Sequence, residues 1–327
     1  MVYIYALCDV YYDSFYIDGI KQLFPSYRFN IDKFPKFKQG VFAVLITYDN
    51  FNIRLVIDSK DTDQYDEEAL KWCDIYGKVN YRNDNVDEEK KDKIKPIGPS
   101  FGVKTWSFPV TVFYSLNNFF KSKKFISNKK EFLANYWRQY RRLPLTHYQH
   151  SSSSLEKYIF FTGSIWKKES LTNEIRAAFI TACKKNKQIV FEGGFAPRND
   201  GNNFNFDSLI VSKRYGLKEY IRKIKQSSIA FNTPAVLSCH GWKLGEFLAL
   251  GKAIITTKHI NELPADLEDN VHAIYADSLA KLDDKINLIL NSGKLKNELE
   301  KNAKNYFDTY LAPKSVVKRL LSSKLSL

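Results

Sequence analysis

Asn232-Thr-Pro-Ala-Val-Leu-Ser-Cys-His-Gly-Trp-Lys-Leu-Gly-Glu246-Phe-Leu-Ala-Leu-Gly-Lys-Ala-Ile-Ile-Thr256 decides how the chain is read, because it runs through a loop, a helix, a glycine stop and a buried strand. Gly241 frees the backbone before a helix predicted over 242–250, Gly251 ends that helix, and Ala253-Ile254-Ile255 follows as a short apolar strand. The first turn of such a helix offers unpaired N–H groups and a partial positive charge. Lys243 adds a full one, so this end suits a phosphate or diphosphate. Glu246 stands three residues further on the same helix face, where a carboxylate can take the paired hydroxyls of a sugar. A cation for phosphate and an acid for ribose together describe a nucleotide sugar. Read alone, the segment is equally an ordinary βα unit whose Lys243 and Glu246 form a surface pair.

The preceding residues supply a βαβ rhythm. Tyr158-Ile-Phe-Phe-Thr-Gly163-Ser164-Ile-Trp166-Lys167-Lys168 is an apolar strand ending in a glycine turn with two lysines beyond it. An amphipathic helix over 171–186 and a buried strand over 188–192, closed by Gly193-Gly194, continue the pattern of a parallel sheet. Strand ends that carry glycines face ligands, which brings Gly163, Ser164, Lys167, Glu192 and Gly193 together with Gly241, Trp242, Lys243 and Glu246 as candidate donor-binding residues. Arg198 follows and either reaches the phosphates or stands as an exposed loop arginine. Residues 215–226 read as a basic helix and 228–232 as the strand feeding the opening segment. His240 either donates to a phosphate or to a transferred sugar, or caps its own loop. The remaining histidines, His147, His150, His259 and His272, carry no ligand spacing.

In the first half, residues 2–8 form the first strand, a helix covers 15–23, and strands at 41–47 and 53–57 are spaced as a hairpin or as neighbours. The second of these delivers Asp58-Ser-Lys-Asp61-Thr-Asp63 at its carboxyl end, where ligands of α/β sheets collect. A helix starting near 63 leads to Trp72-Cys-Asp74-Ile-Tyr-Gly77-Lys78-Val-Asn80 and then to a loop with Ile97-Gly98-Pro-Ser-Phe-Gly102.

The run Glu246-Phe-Leu-Ala-Leu-Gly-Lys-Ala-Ile-Ile resembles the donor segment of GT-B-type glycosyltransferases, the group 1-like branch, in which a glutamate ahead of a small-x-x-Gly-x-Ala/Pro-apolar-apolar run holds the nucleotide ribose. Cys73-Asp-Ile-Tyr-Gly-Lys-Val-Asn80 and Ile97-Gly-Pro-Ser-Phe-Gly102 resemble phrases of bacterial surface and capsular polysaccharide glycosyltransferases. The resemblance implies an α/β fold of two Rossmann-like domains with an interdomain cleft. It implies an acceptor domain over 1–150, a donor domain over 155–312, and a C-terminal helix over 313–327 crossing back to the first domain. It also implies transfer of a sugar from a UDP- or GDP-linked donor to a glycan or lipid-linked glycan acceptor, with the base docked near the helix at 215–226, where Tyr215 is a stacking candidate and Tyr220 belongs to the core. The retaining branch commonly carries a second glutamate where this chain has Ser238, which leaves the stereochemistry open.

An inverting reaction needs a base for the acceptor hydroxyl, and the resemblance places it in the first domain, among Asp58, Asp61 and Asp74, with His240 as a further catalytic candidate. Structural readings stand beside the catalytic one, Asp61 or Asp63 as a helix cap and Asp74 as an acceptor for a buried backbone group or in a pair with Lys78. Asp61-Thr-Asp63 also matches a short Asp-x-Asp metal signature of another glycosyltransferase fold. Lys243 with a helix terminus can replace that metal, so no metal and no cofactor beyond the nucleotide sugar is expected.

The chain has 327 residues, is 44% apolar and carries a formal charge of +14, enough for two cores and far from neutral. The serine run at 151–154 is the expected hinge. The charge concentrates in 119–142, where lysines and arginines interleave with aromatic residues. That segment reads either as a basic surface or as a contact with an anionic membrane surface. No nucleic-acid-binding signature accompanies the charge. Cys8, Cys73, Cys183 and Cys239 lack metal or disulfide spacing, and no run reaches the ~20 apolar residues of a membrane span, so a cytoplasmic protein is expected, either free or peripheral on the inner face of the membrane. Two other function classes remain open. A nucleotide-sugar epimerase or glycan phosphorylase would share the fold and differ in turnover, and a non-catalytic binding protein for nucleic acid or a membrane surface would explain only the charge.

Overall fold

Short strands rich in β-branched and aromatic residues alternate with helices along the whole chain, the pattern of an α/β protein. The structure, a computed structural model, describes residues 1–48, 50–149, 154–276 and 278–325. Unit 1 comprises residues 1–145, 261–265 and 309–327, and unit 2 comprises 146–260 and 266–308. The chain thus passes from one to the other after Leu145; of the serine run, residues 151–153 lie outside the described residues, as does His150.

Unit 1 opens with β1 (Val2–Tyr5), α1 (Ser14–Leu23), β2 (Tyr27–Asn30), β3 (Phe42–Thr47) and β4 (Asn52–Asp58). It continues with α2 (Glu67–Trp72), β5 (Ile75–Lys78), α3 (Glu88–Lys91), β6 (Ile94–Pro96), α4 (Phe108–Ser122) and α5 (Lys129–Tyr140). The strands form one sheet in the order β2-β1-β3-β4-β5-β6. This sheet is mixed rather than all-parallel. β3 runs antiparallel to β1 (Ile4 opposite Val44) and to β4 (Val44 opposite Leu55), and the connection between β3 and β4 is too short for the crossover that a parallel pair needs. β4, β5 and β6 are parallel, with Asp58 opposite Lys78. The helix expected from 63 begins only at Glu67, and its cap is Asp66, whose carboxylate accepts from Ala69 N at 3.1 Å, not Asp61 or Asp63.

Unit 2 holds α6 (Thr146–Gln149), β7 (Tyr158–Ser164), α7 (Ser170–Lys185), β8 (Val190–Ala196), α8 (Leu217–Gln226), β9 (Ala230–Asn232) and α9 (Trp242–Ala249). β10 (Ile254–Thr256), β11 (Ile274–Tyr275), α10 (Leu282–Asn291) and α11 (Gly293–Tyr306) complete it. Its strands pair in parallel, β7 with β8 and β9-β10-β11 in a row, a Rossmann-like arrangement. Ser227 couples the two groups, accepting from Phe160 N at 2.9 Å and donating to Ile229 O at 2.6 Å. The core behind them stacks Phe179 on Phe231 with ring centroids 4.0 Å apart. Gly193-Gly194 does not close a strand, as the sequence suggested, but lies inside β8. A Cβ on Gly193 would stand 1.8 Å from Phe161 O, so only glycine allows β8 to approach β7 there.

The last helix, α12 (Pro313–Leu321), packs in unit 1 against α1 and β5. Gly19 makes that approach possible, since a Cβ there would lie 2.3 Å from Pro313 O. No helix among the described residues is long and apolar enough to cross a membrane. All four cysteines are free and buried.

Candidate nucleotide-sugar site

Three elements of unit 2 converge on a cavity of 310 Å³. The end of β7 supplies Thr162, Gly163 and Ser164, the end of β9 supplies Asn232 and Thr233, and the start of α9 supplies Gly241, Trp242 and Lys243, with Trp166 and Arg176 on the remaining wall. Gly241 caps α9 without a side chain, so nothing of its own stands before the first helical turn. Asn173 of α7 fixes the turn after β7, accepting from Trp166 N at 3.0 Å and donating to Trp166 O at 2.8 Å.

Arg176 was not singled out in the sequence, yet it is the best placed cation. It sits on the inward face of α7 at 7% exposure, its Nε donates to Thr233 Oγ1 at 2.9 Å, and its Nη1 donates to Ser164 O at 3.0 Å. Burial pulls its pKa down to about 10. The signal was available: Asn173, Arg176, Ala177 and Ile180 follow helical spacing, and a cation on an otherwise buried stripe asks for a partner. Lys243 donates to Thr162 O and lies over the Phe161 ring at 5.1 Å from its centroid. Enclosure of its ammonium, then the neighbouring Arg176, pull its pKa down to about 7, while Glu246 acts in the opposite sense. Glu246 itself is 4% exposed and lies outside the cavity wall, where its charge acts on Lys243.

A second depression of 390 Å³ adjoins the first, sharing Ser164, Trp166 and Ala196 and adding Arg198 and Arg214. Arg198 donates to Ile165 O at 2.8 Å and pairs with Asp200 at 2.6 Å, and Lys167 reaches the same aspartate at 3.4 Å. These two sequence candidates therefore form the rim rather than the cavity. His240 is buried beside His259, ring centroids 5.2 Å apart. Burial, then the charge of His240, push the His259 pKa down to about 3.

Glu192, Gly193 and Tyr215 are placed away from the cavity. Glu192 pairs with Lys223 at 2.7 Å and accepts from Tyr158 Oη at 2.8 Å and Tyr215 Oη at 3.1 Å. Burial alone would raise its pKa, but these donors outweigh it and hold it below the ordinary range. Tyr220 stands edge-on to Phe160, in line with its core reading.

In unit 1 the three aspartates part company. Asp58, at the end of β4, is buried and bonded to Lys78 Nζ at 2.9 Å and Tyr76 Oη at 2.7 Å; Lys78 has 0% exposure, and desolvation lowers its pKa. Asp74 is held by Arg54 rather than by Lys78, at 2.6 Å from Nη2 with Nε and the backbone N also donating. Burial opposes this, yet the arginine keeps the Asp74 pKa below the carboxylate range. Asp61 is exposed. A buried carboxylate that the sequence reading missed is Asp13, ahead of α1 and 2% exposed. Burial, then the charge of Asp9, raise its pKa well above the ordinary value, and its Oδ2 is buried without a partner among the described residues. No group of His, Cys, Asp and Glu with metal-holding geometry occurs among the described residues.

No protein-family model matches the sequence, and no curated protein matches it. Solved structures do resemble the fold. A glycosyltransferase from Rickettsia africae is 12% identical over 82% of this chain and 69% of its own, with a TM-score of 0.46. TarM, described from S. aureus, is 16% identical over 53% of this chain, with a TM-score of 0.40, and the chain spans 36% of its length. The C-terminal domain of the glycosyl transferase group 1 family protein LpcC from Francisella tularensis is 19% identical over 50% of this chain and 91% of its own, with a TM-score of 0.33.

Proposed function

We propose that the protein is a glycosyltransferase that draws its sugar from a nucleotide diphosphate donor and binds the diphosphate in the cavity of unit 2. The observation that carries this reading is the convergence of Arg176, Lys243 and the first turn of α9 on one cavity of 310 Å³. Burial pulls both cations below their ordinary pKa, and Arg176 lowers that of Lys243 further; a pyrophosphate at that wall would favour the charged form of Lys243 and take hydrogen bonds from Arg176 and the helix turn. The same groups would neutralise the diphosphate as it leaves, so the reading does not call for a metal ion. Trp166, shared by both depressions, offers an aromatic face to the sugar or the base.

The acceptor, a glycan or lipid-linked glycan in polysaccharide or glycoconjugate synthesis, is assigned to unit 1. Asp58 and Asp74 are engaged by Lys78 and Arg54, whose hydrogen bonds occupy the carboxylate oxygens that a proton acceptor would use.

Thermal shift against UDP, GDP, CDP and dTDP, each beside its monophosphate, tests the donor half. A diphosphate should stabilise the protein more than its monophosphate, and equal or absent shifts for all of them contradict the reading. With the selected donor sugar, transfer to an added acceptor identifies a glycosyltransferase, whereas conversion of the donor without an acceptor or release of sugar phosphate would identify the epimerase or phosphorylase alternatives.

A further inference from the structure

Helix α4 packs Tyr114 inward on Phe29 and Trp106, and it carries a second apolar stripe on its outward side. The residues it buries are Thr111, Asn118 and Ser122, and the residues it turns to solvent include Val112, Phe113, Leu116 and Phe120. Spacing of one, four and eight from Val112 places those four on a single stripe, the face that a helix packed on a core would bury. Phe113 is 62% exposed and Phe120 63%. The neighbouring helix α5 buries Phe132 and Tyr136 on its inner side, beside Asn135, which donates to Asp9 at 3.0 Å, and Gln139, which donates to Val103 O at 3.2 Å. Its outer side carries Leu133 and Trp137, the latter 51% exposed.

Cations frame this apolar face. Residues 104–142 hold nine lysines and arginines against one acidic residue, Glu131, and Glu131 is already paired with Arg138. Lys121, Lys123, Lys124, Lys129 and Lys130, all exposed, lie along the end of α4 and the start of α5, and Arg141 lies over the Trp137 ring at 5.8 Å. A second copy of this chain would bring like charges together around its apolar contact, so self-association is opposed. Nucleic acid would match the cations and leave the phenylalanines without a counterpart. An anionic bilayer surface matches both, taking apolar side chains at the acyl boundary and cations among the headgroups.

We propose that the outward face of α4 and α5 docks on an anionic lipid surface, with α4, about 22 Å long, lying in the interface plane. The inference stands apart from the donor-site reading and does not depend on it.

Sedimentation of the full chain with vesicles tests it, using phosphatidylcholine alone and phosphatidylcholine mixed with phosphatidylglycerol. The protein should partition onto the phosphatidylglycerol vesicles, and raised salt should weaken the binding. Phe113→Ser with Phe120→Ser should reduce partitioning roughly tenfold or more, and replacing Lys123, Lys124, Lys129 and Lys130 by Gln should reduce it by a similar factor. Both variants replace exposed side chains, so their melting curves and nucleotide binding should match the parent, which separates a failure here from a failure of the donor site. Vesicle addition should also blue-shift the part of the tryptophan emission that Trp137→Phe removes. The proposal is overturned by absence of partitioning, by equal partitioning onto neutral vesicles, or by partitioning that survives the phenylalanine changes. Lipid-free self-association abolished by those changes, or nucleic-acid binding in place of vesicle binding, overturns it equally.

Discussion

Lys243 works under two opposing demands, enclosure beside Arg176 and a proton to hold. Its pKa near 7 lies below the ordinary 10.5, so the unfolded chain keeps the proton over a range where the folded protein has lost it. The cost of charging it is therefore full below about pH 7 and fades as pH rises towards 10.5. A bound diphosphate reverses the preference, so binding above pH 7 should take up a proton and affinity should fall by up to about tenfold per pH unit there. Calorimetry in buffers of different ionisation enthalpy reads that proton directly, and Lys243→Arg should flatten the profile. A profile equally steep in the arginine variant would assign the proton elsewhere. Lys243 and Gly241 were legible because the chemistry of a helix start is local. Arg176 was not, since its meaning depends on Thr233 and Ser164, which only the fold brings to it. The expected pairing of Asp74 with Lys78 failed for the same reason, its partner Arg54 being on a neighbouring strand, while its reading as a backbone acceptor matches its bond from Arg54 N.

At the level of elements, β7, β8 and the loops after β9 and β10 set the stability of the site. His259 is buried and neutral, with a pKa near 3 against an ordinary 6.5. Its folded form refuses a proton that the unfolded chain accepts, so stability present above pH 6.5 is lost as pH falls towards 3, roughly 3 kcal/mol by about pH 4. Denaturant unfolding of the parent and of His259→Gln at neutral and acid pH should show that slope in the parent and a shallower one in the variant; parallel slopes would remove His259 from the account. Gly193→Ala should destabilise by about 3–5 kcal/mol, because its Cβ cannot coexist with Phe161 O and its φ of +117° suits glycine, and a melting temperature close to the parent would contradict the close β7–β8 approach. The boundaries of α9 were readable to within a residue from Gly241 and Gly251, which stop a helix by backbone conformation alone. The glycine pair at 193–194 was read as a strand end because glycine marks turns more often than it marks crowded strand neighbours.

For the molecule as a whole, length, charge and alternating elements conveyed an α/β protein with two cores, and the structure divides into two such units. The mixed sheet of unit 1 was half legible: the two neighbouring strands were seen, but their antiparallel pairing follows from a connection too short for a crossover. The outward apolar stripe of α4 escaped notice because hydropathy periodicity shows that a helix has an apolar stripe and not which way the stripe points. The account rests on Arg176 and Lys243 holding a diphosphate. Titration calorimetry of UDP and GDP into the parent, Arg176→Met and Lys243→Met proteins tests this most directly. One nucleoside diphosphate should bind the parent, and each substitution should cost about 1–3 kcal/mol of that affinity with the fold intact. Binding unchanged in both variants, or no binding by the parent, would contradict it.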